Sequence, residues 1–142
     1  MKIIEQEEVR KLLQPKDCIQ LMAEALKGLE SGEYAQPARL ITVMPNTAKF
    51  GFMPAYVGDY FGAKVISAFA PNMGTKYPSH IGYVMLFESA HSTVAGMIEA
   101  GSITEIRTGA VSAAATDLLA RKDSHKLALI GAGAQARSHL AA

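Results

Sequence analysis

The stretch "KLALIGAGAQARSHLAA", residues 126–142, decides the fold of this chain. A short apolar run leads into a glycine-rich turn, and a helical pattern follows the turn. This order predicts a buried strand over 126–130, a tight turn and the first turns of a helix, which is how a dinucleotide-binding domain begins. Each βαβ unit of such a domain takes about thirty residues, so we expect this chain to hold only its beginning.

The glycine turn carries the pattern G-x-G-x-x-A at Gly131, Gly133 and Ala136. Gly131 is expected to make the tight turn, Gly133 to let the backbone approach a pyrophosphate, and Ala136 to allow close packing of helix on strand. The phosphates would then bind the free amides at the helix N-terminus. An ordinary glycine-capped turn would show the same pattern. The acidic residue that selects between NAD and NADP is expected beyond Ala142, so the sequence fits either cofactor.

The composition is that of a globular chain with little net charge. Hydrophobic residues make up 49% and charged residues 19% of the 142 residues, and the net charge is +1. These values exclude a disordered chain and give no reason to expect nucleic acid or a membrane surface as a partner. The opening "MKIIEQEEVRK", residues 1–11, predicts no secretory signal, and no run reaches the roughly eighteen apolar residues of a membrane span. The single cysteine, Cys18, excludes an internal disulfide and favours a reduced, cytoplasmic setting.

The first clear helix is predicted over "PKDCIQLMAEALKGLESGEY", residues 15–34. Pro15 suits its first turn and Gly32 suits its C-cap. Apolar and small residues recur at helical spacing at Cys18, Met22, Ala25, Leu26 and Leu29. Cys18 lies on this stripe, so we expect an inert thiol in the core.

Short β-rich runs fill residues 39–99. They are "RLITVM", "FGFMPAY", "GAKVISAFA", "GYVMLFES" and "STVAGMIEA". Glycine, proline and asparagine separate them, which predicts a mostly antiparallel sheet with hairpins. The intervening "PNMGTKYPSHIG", residues 71–82, is predicted to be a loop, and its length makes a functional role more frequent.

A long helix is predicted over "SITEIRTGAVSAAATDLLARKD", residues 102–123. Ser102 and Glu105 have the spacing of a capping box. One side of the helix is built mainly from small residues, namely Ile106, Gly109, Ala110, Ala113, Ala114 and Leu118. Because small residues let another backbone approach closely, we expect this helix to lie deep against the sheet or against another subunit.

Together these elements predict an α+β fold. N-terminal helices precede a mainly antiparallel sheet, and a long helix leads into the first βα turn of an incomplete Rossmann domain. The predicted division is a substrate-binding and dimerisation domain over 1–125 and the start of an NAD(P)-binding domain over 126–142. No metal site is predicted.

Three cationic residues stand in apolar or small-residue surroundings. Arg39 follows "QPA" at the start of a strand, Lys64 lies within "FGAKVISAF", and Arg107 falls near the first turn of the long helix. A cation in a first turn is disfavoured by the helix dipole. Taken singly, each of them also fits a solvated side chain that extends its charged end to water.

Read in order, the segments resemble the ornithine cyclodeaminase/mu-crystallin family. The resemblance covers roughly residues 36–142 and is carried by "QPAR", "MPAY", "GAKVIS", "YPSHIGYVMLFE", "ITEIRTGAVSAAAT" and "LALIGAGAQA". It implies NAD(P)-dependent enzymes that act on amino or imino acids, or relatives retained as binding proteins. In such enzymes a carboxylate is fixed over the nicotinamide, and hydride moves to or from the carbon that bears nitrogen.

The same resemblance assigns site residues. Arg39, Lys64 and Arg107 match the group that binds the substrate carboxylate. The positions matched to the cofactor are Ser79, Arg107, Gly131, Gly133, Ala134, Gln135 and Ala136. His80 would suit a catalytic imidazole in isolation, but within the family it resembles a structural loop residue.

Two departures from the family pattern change the expectation. Ornithine cyclodeaminases carry a glutamate two residues before the Met-Pro pair, where this chain has Gly51. This favours imine reductases or amino-acid dehydrogenases over ornithine cyclisation. The family's catalytic aspartate is expected beyond residue 142, so no catalytic acid or base is assigned, and little activity is expected from these residues alone.

Three functions stay open from the sequence. The first is the N-terminal part of a reductase, the second is a non-catalytic oligomeric or small-ligand-binding protein, and the third and weakest is a separate nucleotide-binding module. The expected partners are a small amino or imino acid carboxylate and further copies of the chain. We expect a homodimer or larger homo-oligomer in which another chain covers the small-residue helix and the apolar strand over 126–130.

Overall fold

The computed structural model describes all residues from 1 to 142 and contains four α-helices and a six-stranded sheet. In chain order the elements are β1 (Lys2–Ile4), α1 (Gln6–Leu12), α2 (Pro15–Ser31), β2 (Leu40–Val43), β3 (Lys49–Val57), β4 (Tyr60–Ala68), a 3₁₀ turn (Ala70–Asn72), β5 (His80–Glu88), β6 (Val94–Glu99), α3 (Ala100–Leu119) and α4 (Ala134–Ala141). The predicted α+β class is confirmed. No helix is both long enough and apolar enough to cross a bilayer.

The sheet has the strand order β1-β6-β5-β4-β3-β2. Strands β2 to β6 form a continuous antiparallel series, as the hairpin punctuation predicts, and β1 joins its edge in parallel with β6. Strand β1 was not predicted, because three residues are too few to show an alternating pattern. In the centre of the sheet, Lys64 lies opposite Met53 on one side and Val84 on the other.

The two faces of the sheet have different surroundings. The face that carries Lys64 and Val84 lies beneath α2 and α3 and lines a cavity together with them. The opposite face carries Phe61 stacked on Phe87, with ring centroids 5.3 Å apart. It also has a shallow apolar groove lined by Phe50, Val65, Ile66, Ser67, Ile81, Gly82, Tyr83, Met85 and Met97. Large side chains on this face are therefore left partly exposed.

Helix α2 has the ends and the buried stripe that the sequence predicts. Pro15 is its first residue, and Gly32 caps its C-terminus in the left-handed conformation, with φ +78°. Cys18 is buried, which confirms its predicted place in the core. Burial raises the pKa of the Cys18 thiol, although the nearby Arg107 lowers it, so the nucleophilic thiolate is disfavoured.

Helix α3 begins two residues earlier than predicted, and the predicted capping box is wrong. Glu99 is the N-cap, and its carboxylate accepts hydrogen bonds from the amides of Gly101 and Ser102. A carboxylate that accepts two free amides satisfies the helix N-terminus and complements its dipole. Ser102 is consequently buried inside the helix, and Glu105 binds Arg10 of α1 at 2.6 Å instead.

The small residues of α3 are covered within the same chain. Helices α2 and α4 and strand β5 pack around it, and Gly109, Ala110 and Ala114 are buried. A Cβ atom on Gly109 would lie 2.5 Å from the carbonyl oxygen of Ser138 in α4. The predicted deep position is confirmed, but the covering elements are mainly helices of the chain itself and another subunit is not needed to cover this face.

The strand predicted over 126–130 is wrong, whereas the helix after the turn is confirmed. Residues 125–132 have no regular secondary structure, and Ile130 is fully exposed. A strand requires a neighbour that exchanges backbone hydrogen bonds, and none of the six strands lies beside this segment. The loop predicted over 71–82 also ends earlier, because β5 already begins at His80.

Candidate functional site

A cavity of about 720 Å³ lies between the sheet and the pair of helices α2 and α3. Strands β3, β4 and β5 form its floor, α2 and α3 form its roof, and the segment from Tyr34 to Arg39 closes one side. The positions that face the helices alternate along each strand, as the pleat of a sheet requires. Lys64, Gly62 and Tyr60 therefore follow one another along the floor.

The three cations singled out in the sequence line this one cavity. Arg39 comes immediately before β2, Lys64 lies in the middle of β4, and Arg107 lies in α3. The Nζ atom of Lys64 donates a hydrogen bond of 3.3 Å to Oγ1 of Thr104, which ties β4 to α3. Residues far apart in the chain thus converge because the strand register and the helix crossing bring them to one place.

The charges of these residues are not balanced by the protein. None of the three cations forms a salt bridge within the chain, and no aspartate or glutamate is among the residues that line the cavity. Burial lowers the pKa of Lys64, and the positive charges of Arg107 and Arg39 lower it further. The cavity is therefore suited to an anion, and a guanidinium can bind a carboxylate through two parallel hydrogen bonds.

Arg107 lies deeper in α3 than the sequence predicts. Because the helix begins at Ala100, Arg107 is its eighth residue and stands about two turns from the N-terminus. The unfavourable effect of the helix dipole on a cation falls off within the first turn, so it does not act on this guanidinium. The surroundings of Arg107 are set instead by the other two cations and the apolar wall of the cavity.

Most of the remaining lining is apolar. Of 25 lining residues, 17 are hydrophobic, so the cations occupy a small part of the wall. The roof from α2 consists of Met22, Ala25, Leu26 and Leu29, and Val84 and Leu86 of β5 contribute to the floor. The site thus combines an anion-binding region with an apolar compartment.

Sequence inspection missed Thr104, which holds Lys64 in place. It lies three residues before Arg107, on the same face of α3, and this spacing was the available signal. Gly51 does not line the cavity. A Cβ atom at this position would lie 2.9 Å from side-chain carbons of both Ile41 and Ile66, so the space beside Gly51 is already filled.

Ser79 and His80 lie away from the three cations. Oγ of Ser79 is 3.1 Å from Nδ1 of His80 at the beginning of β5, and neither residue lines the cavity. His80 is four residues from Val84, the partner of Lys64, which corresponds to about 13 Å along the strand. The structure does not bring either residue to the anion-binding region.

The glycine turn is placed at the open N-terminus of α4. Gly131 has φ +107°, a conformation that favours glycine, and a Cβ atom on either Gly131 or Gly133 would contact nothing. Gly133 is the N-cap and no side chain caps the helix, so the amides of Ala134, Gln135 and Ala136 are available to an anion. These features fit the pyrophosphate of a dinucleotide.

Helix α4 is attached to the same helix that carries Arg107. Nδ1 of His139 lies 2.6 Å from the carbonyl oxygen of Gln135, and Nε2 lies 2.9 Å from Oγ of Ser112 in α3. Since a carbonyl only accepts hydrogen bonds, Nδ1 carries a proton in this arrangement. Helix α3 therefore positions both the anion-binding region and the glycine turn.

Comparison with known proteins gives relatives that are similar in sequence and in fold. The ketimine reductase mu-crystallin of Mus musculus is 36% identical over 121 residues, which cover 83% of this chain and 38% of that protein. An archaeal alanine dehydrogenase dimer with bound NAD superposes with a TM-score of 0.92 at 27% identity, covering 97% of this chain and 43% of that one. The Δ1-pyrroline-2-carboxylate reductase of Thermococcus litoralis, solved with NADH and L-proline, superposes with a TM-score of 0.90 at 32% identity. The match covers 99% of this chain and 44% of that one.

The chain spans about two fifths of the length of these relatives. The family model described as "Ornithine cyclodeaminase/mu-crystallin family" matches residues 1–142, the whole of the chain. The resemblance seen in the sequence is thereby confirmed, and the chain belongs to the ornithine cyclodeaminase/mu-crystallin family.

Proposed function

We propose that this chain supplies the carboxylate-binding part of the site of an NAD(P)-dependent oxidoreductase that acts on amino or imino acids. The observation that carries the proposal is the convergence of three cations without salt bridges in one cavity. Relatives described as a ketimine reductase, an alanine dehydrogenase and a pyrroline-carboxylate reductase support it.

Each cation has a separate part in the proposed binding. Arg107 and Arg39 have planar guanidinium groups that can each bind a carboxylate through two hydrogen bonds. Lys64, held by Thr104, adds a compact charge at the floor of the cavity. A carboxylate fixed by these groups holds the neighbouring carbon in one orientation, which is the main requirement for a transfer between two bound molecules. We assign no catalytic acid or base to this chain.

NAD or NADP would be held at the glycine turn. The residues proposed to contact it are Ser79, Arg107, Gly131, Gly133, Ala134, Gln135 and Ala136. When bound, the cofactor supplies or accepts the hydride. Its phosphates fit the uncapped amides of α4, and His139 keeps α4 attached to α3. Residues 126–142 are accordingly proposed as the start of the nucleotide-binding domain and residues 1–125 as the domain for substrate binding and dimerisation.

The test is the binding of pyrrole-2-carboxylate, a stable carboxylate with an uncharged ring, measured by isothermal titration calorimetry. We expect saturable binding to the chain, and we expect Arg107→Met to weaken it roughly ten- to hundredfold, because a hydrogen-bonded charge is lost. Arg121→Met is the matched control, since the Arg121 side chain is 86% exposed and lies outside the cavity. Equal binding by the wild type and Arg107→Met would refute the proposed role of the cations.

The same titration with NADH and NADPH separates the enzyme from its alternative. Saturable binding of either nucleotide, weakened by Gly133→Val, supports the oxidoreductase. Binding of pyrrole-2-carboxylate without binding of either nucleotide supports a small-ligand-binding protein, because the cavity and the glycine turn are formed by different residues.

A further inference from the structure

We infer that the cavity selects carboxylates whose remaining body is uncharged and apolar, and that it discriminates against ligands with a second, distal positive charge. The inference rests on the proposed function and names the class of substrate for that site. It depends on which residues line the cavity beyond the three cations. Relatives of the family differ in whether the side chain of their substrate is charged, so this property separates one group of substrates from another.

The first observation is the absence of any acidic partner for a distal cation. None of the 25 lining residues is an aspartate or a glutamate. Two nearby carboxylates already have partners outside the cavity: Glu105 binds Arg10 at 2.6 Å, and Glu88 accepts hydrogen bonds from the backbone amides of His91 and Thr93. A ligand ammonium group would therefore find no counter-charge among the residues of this wall.

The second observation is the direction in which the cavity extends. Lys64 and Tyr60 both line the floor, and they are separated by four residues of β4, which corresponds to about 13 Å. Along this path the wall is supplied by residues without charge, namely Leu26, Leu29, Ala55, Val57, Gly62 and Leu86. A ligand whose carboxylate is held at Lys64 extends its other end over this apolar surface.

These observations have opposite consequences for two kinds of ligand. Methylene groups placed on this surface are removed from water, which is favourable. An ammonium group in the same place loses hydration without gaining a negatively charged partner, and three cations at the other end of the cavity repel it. Discrimination therefore comes from an unfavourable term for the charged ligand as well as a favourable term for the apolar one.

The experiment compares pentanoate, 5-aminopentanoate and pentylamine, which share a five-carbon chain and differ only in their charged ends. Each is titrated into the chain by calorimetry. We expect pentanoate to bind at least tenfold more tightly than 5-aminopentanoate, and we expect no saturable binding of pentylamine. Equal or tighter binding of 5-aminopentanoate would overturn the inference.

A variant that adds a carboxylate to the cavity wall tests the same discrimination by changing the protein instead of the ligand. Leu26→Glu places a carboxylate in the roof, and we expect it to narrow the difference between pentanoate and 5-aminopentanoate at least threefold. Leu21→Glu is the matched control, because Leu21 lies on the same helix, is 50% exposed compared with 51% for Leu26, and does not line the cavity. Thermal unfolding establishes that both variants are folded. A folded Leu26→Glu that discriminates like the control would overturn the inference.

The results also separate this inference from the proposed function. If pentanoate does not bind, or binds equally to the wild type and to Arg107→Met, the carboxylate site fails and the inference fails with it. If pentanoate binds through Arg107 but the ammonium makes no difference, the proposed function stands and the inference alone is wrong.

Discussion

Lys64 is the residue whose surroundings differ most from those of a surface lysine. It is partly buried in the centre of β4, it donates to Thr104, and Arg107 and Arg39 share its cavity. All of these features follow from the fold, because Lys64, Arg39 and the pair Thr104 and Arg107 lie on three separate segments of the chain. An ammonium in such a place is stabilised by an anion and destabilised without one.

The lowered pKa of Lys64 predicts a pH-dependent affinity. Burial, Arg107 and Arg39 all move the pKa of Lys64 below its ordinary value of 10.5. A bound carboxylate favours the protonated form, so the affinity for pyrrole-2-carboxylate should fall as the pH rises through the lowered pKa, before an ordinary lysine would titrate. Calorimetric titrations at increasing pH measure this decrease, and Lys64→Met should remove it. An unchanged pH profile in Lys64→Met would contradict the assignment.

Without a ligand, the lowered pKa of Lys64 acts on folding stability in the opposite direction from its effect on affinity. Between the lowered folded pKa and the unfolded value near 10.5, the unfolded chain binds more protons than the folded chain. The contribution of Lys64 to the free energy of unfolding therefore increases as the pH rises through this window.

The sequence identified more residues of the candidate site than could be found from the residue types alone. Arg39, Lys64 and Arg107 were singled out by their surroundings and by a family resemblance, and the structure brings them into one cavity. Thr104 was missed because a threonine near a helix start has many ordinary roles. Ser79 was assigned to the cofactor, yet it lies just before β5 and outside the cavity, and its role stays a prediction.

Among the elements, α3 shows where sequence patterns succeed and where they fail. Its buried small residues were predicted from their spacing, but its beginning was misplaced because Ser102 and Glu105 imitate a capping box while Glu99 makes the actual cap. The strands β2 to β6 were predicted from β-rich runs and from the turn residues between them, which are local signals. The strand over 126–130 was wrong because strand formation depends on a neighbour, which a local pattern cannot supply.

The contact between α3 and α4 predicts the effect of a single methyl group. Gly109→Ala would place its Cβ 2.5 Å from the carbonyl oxygen of Ser138, a backbone atom that can move only if α4 moves. We expect a loss of about 1–3 kcal/mol in the free energy of unfolding, whereas the same change at an exposed helical position would increase stability by up to about 1 kcal/mol. Urea unfolding measures the difference.

The matched control is Leu118→Ala in the same helix, where the side chain is 79% exposed and its loss should change stability little. Hydrogen exchange adds a local measurement: amides of α4 should exchange faster in Gly109→Ala than in the wild type. Unchanged exchange in α4 together with unchanged stability would contradict the close packing of the two helices.

For the whole molecule, the unequal faces of the sheet are the feature that bears on assembly. One face is covered by α2 and α3, while the other leaves Phe50, Phe52 and Ile81 between 40% and 56% exposed. Exposed apolar surface of this kind commonly marks an interface. Since the small residues of α3 are covered by the chain itself, we propose that a homodimer forms through the open face of the sheet.

This proposal predicts the effect of a charge on the open face. Ile81→Lys, at a residue that is 56% exposed, should convert a dimer into monomers because the lysine would have to lose its hydration in the interface. Leu118→Lys, on the exposed side of α3, is the control and should leave the dimer intact. Sedimentation velocity at micromolar concentration distinguishes the species, and a wild-type chain that sediments as a monomer would refute the proposed dimer.

Helix α3 also limits how the length of this chain can change. Thr104, Arg107 and Val111 point to the cavity, while Gly109 and Ser112 point to α4. Each residue rotates an α-helix by about 100°, so these two sets hold a fixed angle to one another. One residue inserted between Arg107 and Gly109 would turn the docking surface for α4 away while the anion-binding side chains stayed in place. Substitutions on the exposed side of this helix are therefore compatible with both contacts. The number of residues from Arg107 to Gly109, in contrast, is fixed by geometry.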